Sequence, residues 1–268
     1  ECRRGRFRSY YLAYAGDPEL AATRRRRIRG EVRRPDVVVK TVRGFSARRG
    51  HIEVLLRDLL DDDAQARSDA IYELGFVPDP RSLRAVLGAA ADPDEGVRRL
   101  AATSLGRLGD EAALRPLMDL LGDAAPGVRS AAAAALALFR HRAVPGLVDE
   151  VPALLAGPPS AGTRLVEAVS VLGRVGDDRA LEPLAAVLRG GAAAARAAAA
   201  QALGDLGLTS GIPALRAALA DAVPEVRGRA ARSIVAIAGP AAREVIEDYI
   251  ARETDPRLKD AARALLSP

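Results

Sequence analysis

The sequence predicts an all-α protein, a solenoid of stacked helix pairs, and three observations carry that prediction. The first is a ladder of large aliphatic residues: Leu74, Leu105, Leu136, Leu172, Leu203, Ile234 and Leu266, separated by 31, 31, 36, 31, 31 and 32 residues. A fixed period of this size marks a repeat whose units cannot bury their apolar faces singly and must stack. The second is a basic ladder in register with it, since Arg67, Arg98, Arg129, Arg196, Arg227 and Lys259 each lie seven residues before their anchor. The third is composition: 49% of the 268 residues are hydrophobic but only 3% are aromatic, with no tryptophan. Alanine and leucine carry the apolar content, which favours helices and close helix contacts.

Residues 92–123 show how one unit works. Asp92 followed by Pro93 predicts an N-cap carboxylate and a first-turn proline. Val97, Ala101, Leu105 and Leu108 then fall on one helical face, and Gly109 ends the helix. Leu114, Leu117, Leu120 and Leu121 repeat the pattern in a second helix, with Pro116 acceptable only if that helix starts late, near Ala112 or Ala113. Six residues before the basic positions stand Asp61, Asp92, Asp123 and Asp221, with Gly190 and Glu253 in the same slot elsewhere. Aligned acids and arginines are expected to pair between adjacent units.

The run D-x-x-x-x-V-R-x-x-A-A-x-x-L-G-x-x-G-D at residues 92–110 resembles the short HEAT-like repeat of bacterial proteins, the type first described in phycobilin lyase subunits. The resemblance covers roughly residues 50–268. It implies a right-handed superhelix of stacked helix pairs whose second helices line the inner face. It says little about function, because such repeats serve lyase subunits, scaffolds, regulatory domains and enzyme appendages.

Helix pairs are expected near 62–76 and 80–90, 93–108 and 112–121, 124–139 and 143–155, 160–175 and 179–189, 192–206 and 211–220, and 223–238 and 240–251. A polar closing helix follows in DPRLKDAARALL. Residues 51–268 thus read as a solenoid of about six pairs plus a cap. The 36-residue spacing places five extra residues in 141–162, where Pro158-Pro159 predicts a longer connection and a bend. Residues 36–60 read as a degenerate opening unit, and Leu55, 31 residues before Val86, fits that register.

Residues 1–50 differ in kind. They hold 15 basic and 5 acidic residues, a net of +10, whereas the remaining 25 basic and 30 acidic residues give −5. Five of the nine aromatics also fall there, in a stretch that reads as helical and contains Arg24, Arg25, Arg26, Arg27 and Arg29. Such a segment suits an anionic membrane surface on the cytoplasmic side of a spanning helix upstream of Glu1, and nucleic acid as a less favoured partner. Cys2 is the single cysteine, which fits a reducing, cytoplasmic setting.

No catalytic constellation, cofactor site or metal site is evident. His51 and His141 are followed by Ile52 and Arg142, so the His-Glu pairs that hold iron in the HEAT-repeat hydroxylase have no counterpart. One cysteine and two scattered histidines cannot assemble a zinc site. On the second helices the equivalent positions are Arg84, Arg115, Gly146, Glu182, Pro213 and Glu244, basic early and acidic late. A nucleic-acid groove needs a continuous basic line, as HEAT-like DNA glycosylases have. The expected function is therefore a non-enzymatic scaffold for a protein partner of complementary polarity, contacted through Arg84, Arg115, Glu182 and Glu244. A lyase-like or chaperone subunit is the further alternative.

Overall fold

A computed structural model describes residues 49–266. The amino-terminal stretch, with Arg24, Arg25, Arg26, Arg27 and Arg29, lies outside the described residues, as do Cys2 and the first half of the opening unit. Even-numbered helices are the first members of each pair: α2 (Ala64–Leu74), α4 (Glu95–Leu108), α6 (Pro126–Phe139), α8 (Gly162–Val175), α10 (Ala193–Leu206), α12 (Pro224–Ala238) and α14 (Pro256–Leu265). Odd-numbered helices are the second members: α1 (Arg49–Asp58), α3 (Pro80–Ala89), α5 (Leu114–Leu120), α7 (Val144–Leu155), α9 (Leu181–Gly190), α11 (Ile212–Ala218) and α13 (Arg243–Arg252). Each even helix packs on the next even helix and on the odd helix before it, which is a solenoid.

The anchor column is the spine of the core. Leu74, Leu105, Leu136, Leu172, Leu203 and Ile234 are all at most 1% exposed. Between neighbouring first helices the spacing is set by small residues. The place where a Cβ on Gly75, Gly106, Gly173 or Gly204 would stand lies within 2.8 Å of atoms of Ser104, Ala135, Ala202 and Ser233 respectively. In two of these contacts a buried hydroxyl finds a partner across the joint, since Ser104 donates to the Ile71 carbonyl at 3.1 Å and Ser233 to that of Ala200 at 2.8 Å. Helix α10, with Ala195, Ala197, Ala198, Ala199, Ala200 and Ala202 buried, is clamped from both sides in this way.

Helix starts depart from the sequence reading in one respect. Asp92 does not cap α4; Asp94 does, its carboxylate accepting from the Val97 amide at 3.1 Å. Asp92 instead accepts the Asp94 amide at 2.9 Å and closes a turn two residues ahead of the helix. Its other bonds run to the preceding repeat, as described below, and a carboxylate committed outward cannot also sit over its own helix. Asp123 behaves likewise, leaving Ala125 at the N-cap of α6 with Pro126 behind it. Pro116 is accommodated as expected: a 3-10 turn at Glu111–Ala113 delays α5 until Leu114, so the proline falls in its first turn.

The 36-residue repeat holds the helix expected at 143–155, which is α7, but little of the longer connection expected after it. The extra residues do not all enter the connection, because α7 has 12 residues where α5 and α11 have 7, and it runs through Pro152. A short 3-10 turn at Pro159–Ala161 then leads into α8. Helix α6 also ends unusually. Where α4, α8 and α10 stop on Gly109, Gly176 and Gly207 at positive φ, α6 stops on Arg140 at φ 52°, ψ −133°. A side chain there costs on the order of 1–3 kcal/mol. Arg140→Gly should therefore raise stability by about 1 kcal/mol after the entropic cost of glycine, measurable as an upward shift of the urea midpoint.

Candidate interaction surfaces

The basic ladder and the acids ahead of the helices form one repeated device. Arg67 grips Asp92 through Nε at 2.8 Å and Nη2 at 2.9 Å, while its Nη1 donates to the Asp61 and Asp62 carbonyls at the head of its own helix. Arg98 holds Asp123 in the same fork at 2.7 and 3.0 Å, Arg196 holds Asp221 at 2.7 and 2.8 Å, and Arg227 holds Glu253 at 2.7 and 2.8 Å. Each guanidinium thus ties the turn of one repeat to the turn of the next, with a planar bidentate geometry that lysine does not offer. The last pair is the most buried, Glu253 being 1% exposed at its side chain, and Tyr249 donates to it at 2.6 Å. Burial, and then that bond to a carboxylate, push the Tyr249 phenol up.

The arginine fork is the main reason the acids are strong. It holds Asp92, Asp123, Asp221 and Glu253 below the ordinary carboxylate range, and Arg179 holds Asp177 down at about 2. A carboxyl whose folded pKa is depressed stabilises the fold above its unfolded pKa, near 4, and loses that contribution as pH falls toward the folded value. Thermal midpoints should accordingly be flat from pH 7 to about 5 and fall steeply below about 4. A midpoint that stayed level down to pH 3 would show that the forks contribute nothing.

The ladder is interrupted over two consecutive joints. Arg129 has no acid waiting in the next turn and meets Glu167 of α8 at 3.6 Å, while its Nε is buried without a hydrogen bond. In the following repeat Leu165 occupies the basic slot, and Arg164 reaches backward instead, pairing with Glu150 of α7 and with Asp119 of α5 at 3.0 Å.

Two surfaces are open to a partner. On the second helices Arg84, Arg115, Glu182 and Glu244 are exposed, one each on α3, α5, α9 and α13. Arg115 pairs with Asp119 of its own helix at 3.3 Å. Further along, a cleft of about 340 Å³ opens beside α11 and α13, with Leu219 and Val245 in its walls and Arg216, Asp248 and Arg252 among its polar lining. The other surface was not foreseen. At the ends of the first helices, the rings of Tyr72 and Phe76 meet edge to face at 5.1 Å, and Arg107 of α4 lies over both, at 5.0 and 4.6 Å. Leu138 of α6 is 63% exposed, and its Cδ1 lies 3.3 Å from where a Cβ on Gly106 would stand. Phe76, 55% exposed, Arg107 and Leu138 thus stand in a row at equivalent places on three successive repeats, Arg107 over Phe76 and Leu138 beside Gly106. A signal for it was present, because Phe76, Arg107 and Leu138 are spaced by 31 residues and lie two places after successive anchors.

Among the described residues no three His, Cys, Asp or Glu side chains gather as a metal site, and no helix is long and apolar enough to cross a membrane. His141 sits exposed in the 3-10 turn Arg140–Arg142, where its carbonyl accepts from Arg179 at 3.3 Å.

Stacked helix pairs bound by an arginine–carboxylate ladder define an α-solenoid repeat protein. The chain belongs to the HEAT repeats, whose family model matches residues 52–137 and 183–267, and residues 165–190 match the PBS lyase HEAT-like repeat. Neither match covers 138–164, where the long repeat falls. Kap95p, in a solved complex with RanGDP, is similar over 81% of this chain and 35% of its own, with a TM-score of 0.58 at 12% identity. The CpcE and CpcF complex of phycocyanin lyase from Nostoc sp. PCC7120 is 22% identical over 85% of this chain and 98% of that one, with a TM-score of 0.42. An archaeal HEAT-like repeats protein from Thermococcus onnurineus NA1 is 14% identical over 81% and 98% of the two chains, with a TM-score of 0.45. Comparison with curated proteins gives no match.

Proposed function

We propose that the chain is a non-enzymatic scaffold that holds a protein partner along its stacked helices. The observation that carries this reading is the Phe76–Arg107–Leu138 row, exposed aromatic, guanidinium and aliphatic groups on a rigid ridge. Aromatic residues and arginine are the types that dominate binding energy at protein interfaces, and a guanidinium already stacked on two rings loses little freedom on binding. The exposed charges Arg84, Arg115, Glu182 and Glu244 would add orientation to a partner that also reaches the second-helix face.

A photo-crosslinking residue placed at Leu138 tests it. A discrete crosslinked partner is expected in the cell of origin, absent when the same group replaces exposed Ala194, and lost on Phe76→Asp. Equal labelling from both sites would refute the ridge as the contact.

Arg24, Arg25, Arg26, Arg27 and Arg29 support a second contact, tethering the chain to the cytoplasmic face of a membrane. Binding to vesicles with anionic lipid that falls as salt rises is the expected result, and RNA or DNA competing fully for the same arginines would favour the nucleic-acid alternative. A lyase-like or chaperone subunit would need an apolar receiving site, and the charged rim of the cleft beside α11 and α13 suits that poorly.

A further inference from the structure

Two devices lock neighbouring first helices together, a glycine set against a small residue and an arginine fork, and both are replaced at one joint, that between α6 and α8. From α2 to α6 and from α8 to α12 a glycine one residue after the anchor admits a small residue of the next helix; after Leu136 that position is Ala137, and the place held by Ser104, Ala135, Ala202 and Ser233 is held by Val171, while the α12–α14 joint, with Val235 there, keeps its fork from Arg227 to Glu253. The close approach of backbones is lost, and α6 packs on α8 much less extensively than α4 on α6 or α8 on α10. The carbonyl of Ala133 stands where those of Ile71 and Ala200 receive a serine hydroxyl, yet it is met at 2.6 Å by Nη2 of Arg174, a long side chain filling a wider gap. The bidentate fork is replaced by the single 3.6 Å approach of Arg129 to Glu167.

What holds this joint is charge. Arg164, at the start of α8, spans back to Glu150 on α7 and to Asp119 on α5, so one guanidinium ties a first helix to the two second helices before it. Nε of Arg129 and of Arg164 and Oε2 of Glu150 are buried without partners, three unmet polar atoms gathered in one joint. An opening that let water reach them would be repaid in hydrogen bonds, whereas opening a Gly-on-small joint exposes close-packed apolar surface and, at two of them, breaks a buried serine hydrogen bond.

We infer that the α6–α8 joint is a hinge latched by Arg164, dividing the solenoid into two stiff arms, α1–α6 and α8–α12, whose angle can change to fit what the ridge and the second helices hold. The hinge is mechanical and does not depend on which partner binds, so its failure and that of the scaffold reading are separable.

Spin labels measure it directly in the full chain with Cys2→Ser. Gly127→Cys with Ala194→Cys places labels two repeats apart across the joint, and Thr163→Cys with Glu225→Cys places them two repeats apart, at equivalent positions, within one arm. All four sites are exposed. Adding Arg164→Ala should broaden the distance distribution of the first pair about twofold. Asp119→Ala, at a half-exposed side chain that cannot endanger the fold, should broaden it in the same direction, and the second pair should stay as narrow with Asp119→Ala as without it. A first pair indifferent to both substitutions, or a second pair that broadens as much as the first, overturns the hinge.

Discussion

Gly173→Ala lowers stability by about 2–3 kcal/mol, the cost of forcing a close-packed interface apart. The added Cβ would stand 2.6 Å from Cα and 2.7 Å from Cβ of Ala202, and a backbone atom in the middle of α10 cannot move aside as the end of a side chain can. Helices α8 and α10 must separate, which also disturbs the contact of α10 with α12 through Gly204 and Ser233. The effect contradicts helix propensity, by which alanine is preferred to glycine by about 1 kcal/mol. Gly88→Ala supplies the contrast: nothing lies within 4 Å of its missing Cβ, and the same substitution there should stabilise by about 0.5 kcal/mol. Urea unfolding followed by circular dichroism measures both. Equal effects of one sign would mean that the first-helix spacing is not set by these glycines.

Arg227→Ala is the second large effect, a loss of about 3 kcal/mol, because it strands a buried carboxylate and not because the pair is strong in itself. Glu253 would keep the Tyr249 hydroxyl and the amides of Thr254 and Asp255, but its negative charge would have no counterion. Two consequences distinguish this account from a simple loss of packing. The double change Arg227→Ala with Glu253→Gln should recover about 1 kcal/mol of the loss, since the amide keeps an acceptor without the charge. Buried without its counterion, the Glu253 carboxyl should also rise above its ordinary value, so that stability, flat near neutrality in the parent, would improve on mild acidification in the single variant. A double variant no more stable than Arg227→Ala would leave packing as the cause.

Period and pattern made the architecture legible before any coordinates. The anchors Leu74 to Ile234 are a buried column, and the helix pairs fall within a few residues of where caps, glycines and apolar spacing put them. The pairing of acids with arginines was also legible, because both recur at one period and a stack brings equal positions together. Less visible was which oxygen goes where. Asp92 and Asp94 are equally good N-caps in isolation, and only the arginine of the preceding repeat draws the first away. The helix read at 143–155 is α7, Pro152 included, whereas the proline pair at 158–159 suggested a longer connection and the extra residues lie mainly in α7 itself. The exposed row of Phe76, Arg107 and Leu138 passed unnoticed since each residue alone resembles an ordinary surface position, and their alignment follows from three different helices.

The sequence alone determined that copies of a small helix pair must stack, since repeated apolar faces of that size are unstable unless they bury one another. Tertiary structure alone decided how closely each copy sits on the next. That spacing depends on which small residue faces which, Gly106 against Ala135 or Gly173 against Ala202, and on whether a carboxylate waits at the far side of each arginine. Contacts of this kind join residues about 30 positions apart in register, and a period shows that such residues meet without showing whether they fit.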